Sequence, residues 1–334
     1  FMEVVAGLST QFSGRGMQFV LHMMAEHEPV LPVYQRLIGK AMLDGFVLID
    51  PQDQDPRIDF LRKAGLAFVV HGRSGKLIDY PYFDIENEHL AYDLTAHLVA
   101  RGHRRVAFLN GLAGRSYVTV REQGYLRALR DGGAEVLPHL HLHGEMDEAH
   151  GLTDTVRLFS GEAPRPTAII CGNVRLAQGA YQALAALGLS VPGDVSVVAH
   201  DDELPALRAS AFFPSLTVTK SPLRDSWEPL ADCLAGAIEG KPLGTLQRHL
   251  GHAHVRLHGL VKGRADNLGL YRPVHIGYFF GTLADQHDHQ MNILEVGRDT
   301  VGNTLEHGGL AGLGRADDQT ALAATDGGEQ VDHA

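Results

Sequence analysis

Two cysteines in 334 residues, Cys171 and Cys233, are too few for a disulfide framework or a thiolate metal cluster. Both sit in apolar surroundings, where buried free thiols are expected. Long apolar runs are also absent. None approaches the roughly 18 residues of a membrane span, so no membrane partner is expected. Positive charge is in deficit: Lys+Arg number 29 against Asp+Glu 40, a net of −11. No overall field then favours nucleic acid or an anionic surface. The chain lacks a basic, then apolar, then small-residue opening, so no secretory signal is expected and a reducing cytoplasm fits. It begins at Phe1 in a helical pattern running to about Ser13, which reads as a fold entered part-way. No Gly-x-Ser-x-Gly elbow occurs. GLAGLG (309–314) has no strand before it and no Lys-Ser/Thr after it, so it is no phosphate loop. No cofactor and no enzyme activity are expected.

What is present is a rhythm. The length suggests two domains. From Gln18 to about Gly259, short apolar strands alternate with helical stretches. Strands are expected at 18–22, 45–50, 67–71, 105–111, 136–142, 167–172, 194–200 and 215–220. Helices are expected at 30–42, 55–65, 87–102, 118–132, 148–161, 173–188 and 224–240. This alternation argues for βαβ units and parallel sheets. The strands are near-continuous apolar runs because helices cover both faces. There are too many units for one open sheet, so the fold class is α/β with two similar lobes. Residues 261–334 break the rhythm, with 11 Asp+Glu against 5 Lys+Arg and no clear period. An irregular tail over 260–334 is expected there.

Strand ends in open parallel sheets are ligand positions. SVVA runs into His200, Asp201 and Asp202; AFVV into His71, Gly72 and Arg73; AIICG into Asn173. Carboxylates that accept hydroxyl protons, beside Arg and Asn donors, suit a polyhydroxylated ligand. Each group also has a plainer reading. Asp201, Asp202 and Asn173 could cap helices, and His71 could be simple strand-end polarity. Arg121, read in the first turn of a helix, opposes the dipole and so calls for a partner. HLHLHG (139–144) places His139, His141 and His143 on one strand face, but no acid or cysteine accompanies them at fixed spacing, so no metal is expected.

TAIICGNVRLAQGAYQALAALGLSVPGDVSVVAHDD (167–202) resembles the signature of the LacI/GalR family of transcription regulators. FDIENEHLAYDLTAHLVARGHRRVAFLNG (83–111), REQGYLRAL (121–129) and FPSLTVTKSPLRD (213–225) are similar to further stretches of that family. The resemblance covers roughly residues 1–259. It implies a periplasmic-binding-protein-like type I core with three crossings between lobes, and a first strand missing here. The lobes would be 1–83 plus 220–242, and 84–219 plus 243–259. A small effector, a mono- or disaccharide, would close the cleft. The family pattern places effector contacts at Arg121, Asn173 and Asp201, with His71 a further match. The wording AFVVHGR and VVAHDD looks closest to members that sense α-glucosides. A homodimer is implied, with Phe60, Leu61 and the helix around Trp227 as its face. Operator DNA would be reached only through a helix-turn-helix head absent from this chain.

This sequence departs from the pattern at Asn173-Val174, where Asn-Asp is usual, and at Ala199-His200, where Gly-Phe or Gly-Tyr is usual. Three rival readings stay open at this point. One is a sugar-binding protein of a transporter, one an enzyme using His200 and Asp201 as a proton-transfer pair, and one an inert fragment.

Overall fold

The computed structural model describes residues 2–256 except 25–27, 41–42, 77 and 251–252. The tail expected at 260–334 lies outside the described residues, as do 257–259. Two sheets organise the rest. The first has the order β1-β2-β3-β9, with β1 Gly45–Ile49, β2 Ala67–His71, β3 Tyr82–Ile85 and β9 Gln247–Leu250, all parallel. The second has the order β10-β8-β7-β6-β4-β5. Its strands are β4 Val106–Asn110, β5 His141–His143, β6 Ala168–Cys171, β7 Ser196–Asp201, β8 Thr217–Lys220 and β10 Ala253–Arg256. Only the edge strand β10 runs antiparallel, against β8.

Alternation in the central strands explains their unbroken apolar runs. Leu109, Ile169, Cys171, Val197 and Ala199 enter one core cluster of the second sheet. Phe108, Ile170 and Val198 enter another. The first cluster includes side chains from α7 (Val174–Ala186), and α6 (Glu148–Ser160) packs against α7. The second includes side chains of the mutually packed α4 (Asn87–Ala100) and α5 (Ser116–Asp131). The first sheet is sandwiched likewise. Val69 and Phe83 pack with α1 (Met2–Ser13) and α8 (Trp227–Ile238). Leu48 and Val70 pack with α3 (Pro56–Lys63) and, at its margin, α2 (Val30–Lys40). Asp55 caps α3 by accepting from Arg57 N at 2.9 Å, and Pro56 follows at the first helical position. Both cysteines are buried free thiols. No described helix is long and apolar enough to cross a membrane.

Four expectations are corrected. Residues 18–22 form no strand: Phe19 stacks on Phe12 at 5.7 Å, Val20 is 67% exposed, and no neighbouring strand pairs with the segment. The strand expected at 136–142 is a short 3-10 turn, Pro138–Leu140, followed by β5. β9 pairs with β3 and so belongs to the first sheet. The third crossing therefore falls between Leu250 and Ala253, later than a boundary after 242. Leu61 is fully buried and so offers no side chain to a dimer face.

Candidate functional site

The chain passes between the sheets after β3 and after β8, and a cavity of about 240 Å³ opens between them at these passages. His71, Arg121 and Asn173 line it, and so do Asp202, Tyr117 and Met146. Asp201 does not. The reason is parity along β7. Asp201 follows Val197 and Ala199 onto one face, where it is 1% exposed and accepts from Glu203 N at 2.8 Å. Asp202 follows Val198 and His200 onto the other face, toward α5. No helix begins at 202, so its carboxylate caps nothing.

Arg121 is the centre of the site. It is 5% exposed, and its Nε donates to Asn87 Oδ1 at 2.8 Å and its Nη1 to the Gly172 carbonyl at 2.9 Å. Its guanidinium sits 5.1 Å from the Tyr117 ring centroid. Among the described residues it forms no ion pair within 4.0 Å. Helix α5 starts at Ser116, so Arg121 lies in the second turn and the dipole argument from sequence does not apply. Burial works against its charge, while the Asp202 and Asp84 carboxylates favour it at longer range. A guanidinium held this way is costly unless a further acceptor arrives.

A hydrogen-bonded relay fixes it. Arg73 Nε donates to Asp84 Oδ2 at 2.7 Å, Asn87 Nδ2 donates to Asp84 Oδ1 at 3.1 Å, and Asn87 Oδ1 accepts from Arg121. The relay runs from β3 of the first lobe into α5 of the second. Sequence reasoning missed Asp84 and Asn87, whose only signal was two polar residues around the start of α4.

Asn173 caps α7 by accepting from Leu176 N at 2.9 Å, and its Nδ2 donates to the Met146 carbonyl at 2.9 Å. It is both a cap and a wall of the cavity. His71 stacks on Phe83, and burial pushes its pKa down against the pull of Asp84 and Asp202. His200 is fully buried, with Nδ1 3.0 Å from Thr219 Oγ1 and Nε2 3.2 Å from Asp202 Oδ1. The second contact is short but poorly aligned for a hydrogen bond. Burial also works to raise the Asp202 pKa. Its contact with His200 and the Arg121 charge outweigh that and hold the carboxyl below its usual range.

The rim beside the cavity is closed by contacts between lobes. Asp53 N donates to the Gly114 carbonyl at 2.8 Å and Ser116 N to the Pro51 carbonyl at 3.0 Å. Thr119 Oγ1 donates to Asp53 Oδ2 at 2.6 Å, and Arg115 Nε lies 3.2 Å from Asp50 Oδ2.

Burial sets an acid limit on this fold. His71 and His200 are pushed below the ordinary imidazole range, and His97 to about 4, by desolvation aided by Arg101 and His103. Their unfolded values lie near 6.5, so the unfolded chain binds more protons as pH falls. Their contribution is whole above about pH 6.5 and is lost as pH falls toward the folded values. Each histidine adds a slope of up to about 1.4 kcal/mol per pH unit within that window. Asp202, Asp55 and Asp147, held low, lose their contribution only below about pH 4. Urea midpoints should therefore drop between pH 6.5 and 5. Equal midpoints at those two values would contradict the buried neutral imidazoles.

Residues 95–256 match a periplasmic binding protein-like domain. The HTH-type transcriptional regulator AglR of Rhizobium meliloti (strain 1021) is 35% identical over 71% of this chain and 67% of its own. A solved regulatory protein of LacI family from Chloroflexus aggregans superposes with a TM-score of 0.65 at 27% identity, covering 75% of this chain and 90% of that one. The chain belongs to the LacI family of transcription regulators. A further LacI-family fold, the transcriptional regulator CelR in complex with cellobiose, superposes with a TM-score of 0.66 at 27% identity, covering 76% of each chain. LacI-family membership sets aside enzyme catalysis, and the geometry agrees. His200 and Asp201 are both buried and neither lines the cavity, so the pair does not itself meet a bound molecule. This part of the chain is the effector-binding domain of such a regulator.

Proposed function

We propose that a mono- or disaccharide binds in the cavity between the lobes, with Arg121, Asp202, Asn173 and His71 as its polar contacts. The observation that carries this reading is the buried Arg121 guanidinium, which faces a cavity across from the Asp202 carboxylate without an ion-pair partner within 4.0 Å among the described residues. Donors and a carboxylate around one small space match the alternating donor and acceptor character of sugar hydroxyls. The cellobiose complex of CelR supports a sugar, and the wording around His71 and Asp201 makes an α-glucoside the first candidate. In this reading the chain works in the cytoplasm as a homodimer. The sugar favours one arrangement of the lobes, and that shift in population changes how the dimer presents DNA-binding heads to an operator.

A thermal-shift screen of the chain against mono- and disaccharides tests this. Sugar at 100 times its Kd stabilises the folded state by about 2.7 kcal/mol, a rise of roughly 5–10 °C for a domain of this size. Asp202→Asn should remove the rise. Asp201→Asn should keep it while lowering the starting Tm, since Asp201 holds the backbone turn at Glu203. If no sugar raises Tm, or if the rise survives Asp202→Asn intact, the cleft assignment fails.

A further inference from the structure

The edge strand β5 carries a second cluster, remote in chemistry from the cleft. His141 and His143 alternate onto one face, with ring centroids 4.3 Å apart. The acid absent from the local sequence comes from α5: Glu122 Oε1 lies 3.2 Å from His141 Nδ1. One ligating atom from each of the three residues falls within 4.8 Å of the other two. His139 does not join them, because its strand position is a 3-10 turn and its Nε2 meets the Pro164 carbonyl at 3.2 Å.

The rings are already held. His141 stacks on Phe108 at 5.6 Å and 10°, packs against Tyr125 at 5.6 Å, and is only 10% exposed at its side chain. Its buried Nε2 has no hydrogen-bond partner among the described residues. His143 Nδ1 lies 3.2 Å from the Gly111 carbonyl. An N–H there donates to that carbonyl, which leaves Nε2 with its lone pair free. His143 thus has the support that a metal-binding imidazole takes from its second nitrogen, whereas the His141 ring is held by packing.

We propose that Glu122, His141 and His143 bind one divalent transition-metal ion, with Zn²⁺ the first candidate. Two imidazoles and one carboxylate are a borderline donor set, suited to Zn²⁺, Co²⁺ or Ni²⁺ rather than Mg²⁺ or Ca²⁺. Ligand bonds of about 2.0–2.1 Å at tetrahedral angles place neighbouring donors roughly 3.3 Å apart. The Glu122–His141 separation of 3.2 Å already meets this. Glu122 is 36% exposed at its side chain and His143 is exposed, so solvent reaches the remaining coordination position and metal can enter without opening the core.

The test is a Co²⁺ titration of the whole chain followed by visible absorption, then displacement by Zn²⁺. The wild type should develop the d–d bands of four- or five-coordinate cobalt and lose them to one equivalent of Zn²⁺. His143→Ala and Glu122→Gln should each weaken binding by more than about tenfold. His139→Ala should leave it unchanged. Far-UV circular dichroism establishes that the variants fold. Because other histidines bind metal loosely, the comparison between variants decides the matter. The proposal falls if the wild type shows no such bands, or if they persist undiminished in His143→Ala or Glu122→Gln.

Discussion

Replacing Arg121 by methionine is expected to weaken sugar binding by at least about 30-fold, since truncating a buried charged contact typically costs 2–5 kcal/mol. The side chain has five N–H donors, and two are used by Asn87 and Gly172. In the proposed complex the others meet sugar oxygens. Methionine fills a similar volume without a donor. Folding should suffer less than binding. The substitution leaves Asn87 Oδ1 and the Gly172 carbonyl without this donor, at about 1–3 kcal/mol each. It also removes a buried charge that burial itself disfavours. The variant should therefore melt cooperatively and ignore sugar. Isothermal titration with the best sugar from the thermal screen checks this. A Kd within threefold of wild type would mean that Arg121 is a structural strut between α4 and β6 and that the ligand sits elsewhere.

Much of this site is legible in the sequence, because strand ends and helix starts are marked by abrupt changes of residue type. AIICG followed by Asn173 places a cap and a cavity wall in one residue. AFVVH places His71 at the end of β2, as found. The acids at 201 and 202 show the limit of such reading. Adjacent residues on a strand face opposite ways, so one of the two must face the cleft. Which one depends on the side that α5 covers, and that is a tertiary fact. The same limit hid the relay through Asp84 and Asn87, and the approach of Glu122 to β5. Central strands were readable because both faces are covered. β3, β9 and β10 were not: YFDI, QRHL and AHVR are four-residue strands of mixed polarity, too short to show a period. QFVLH has the composition of a strand but no partner to pair with.

Two motifs that carried the family resemblance turn out to be places where helices touch backbone to backbone, and Gly179→Ala should cost about 3 kcal/mol, or roughly 10 °C in Tm. Gly124, in Arg-x-x-Gly-Tyr, lies where α5 crosses α4, and an added methyl would fall 2.1 Å from the Glu88 carbonyl oxygen. Gly179, in Ala-x-Gly-Ala, meets α6, where a methyl would fall 2.0 Å from the Glu148 carbonyl oxygen and 2.5 Å from Leu152 N. These neighbours are main-chain atoms and cannot rotate aside. The two helices must separate, which loosens the packing that buries Thr155, Leu158, Leu176 and Leu184. Gly39→Ala is the control: it lies in α2 with nothing within 4 Å of the new methyl, and should be neutral or gain up to about 1 kcal/mol. Urea midpoints at constant m measure both, and a Gly179→Ala loss under about 0.5 kcal/mol would show that the crossing can give way. The helix pair also shapes the cleft. Asn173 starts α7 and donates to the Met146 carbonyl just before α6, so separating the helices pulls on two walls of the cavity at once. Gly179→Ala should then lose sugar affinity as well as stability, although it lies beyond reach of any ligand.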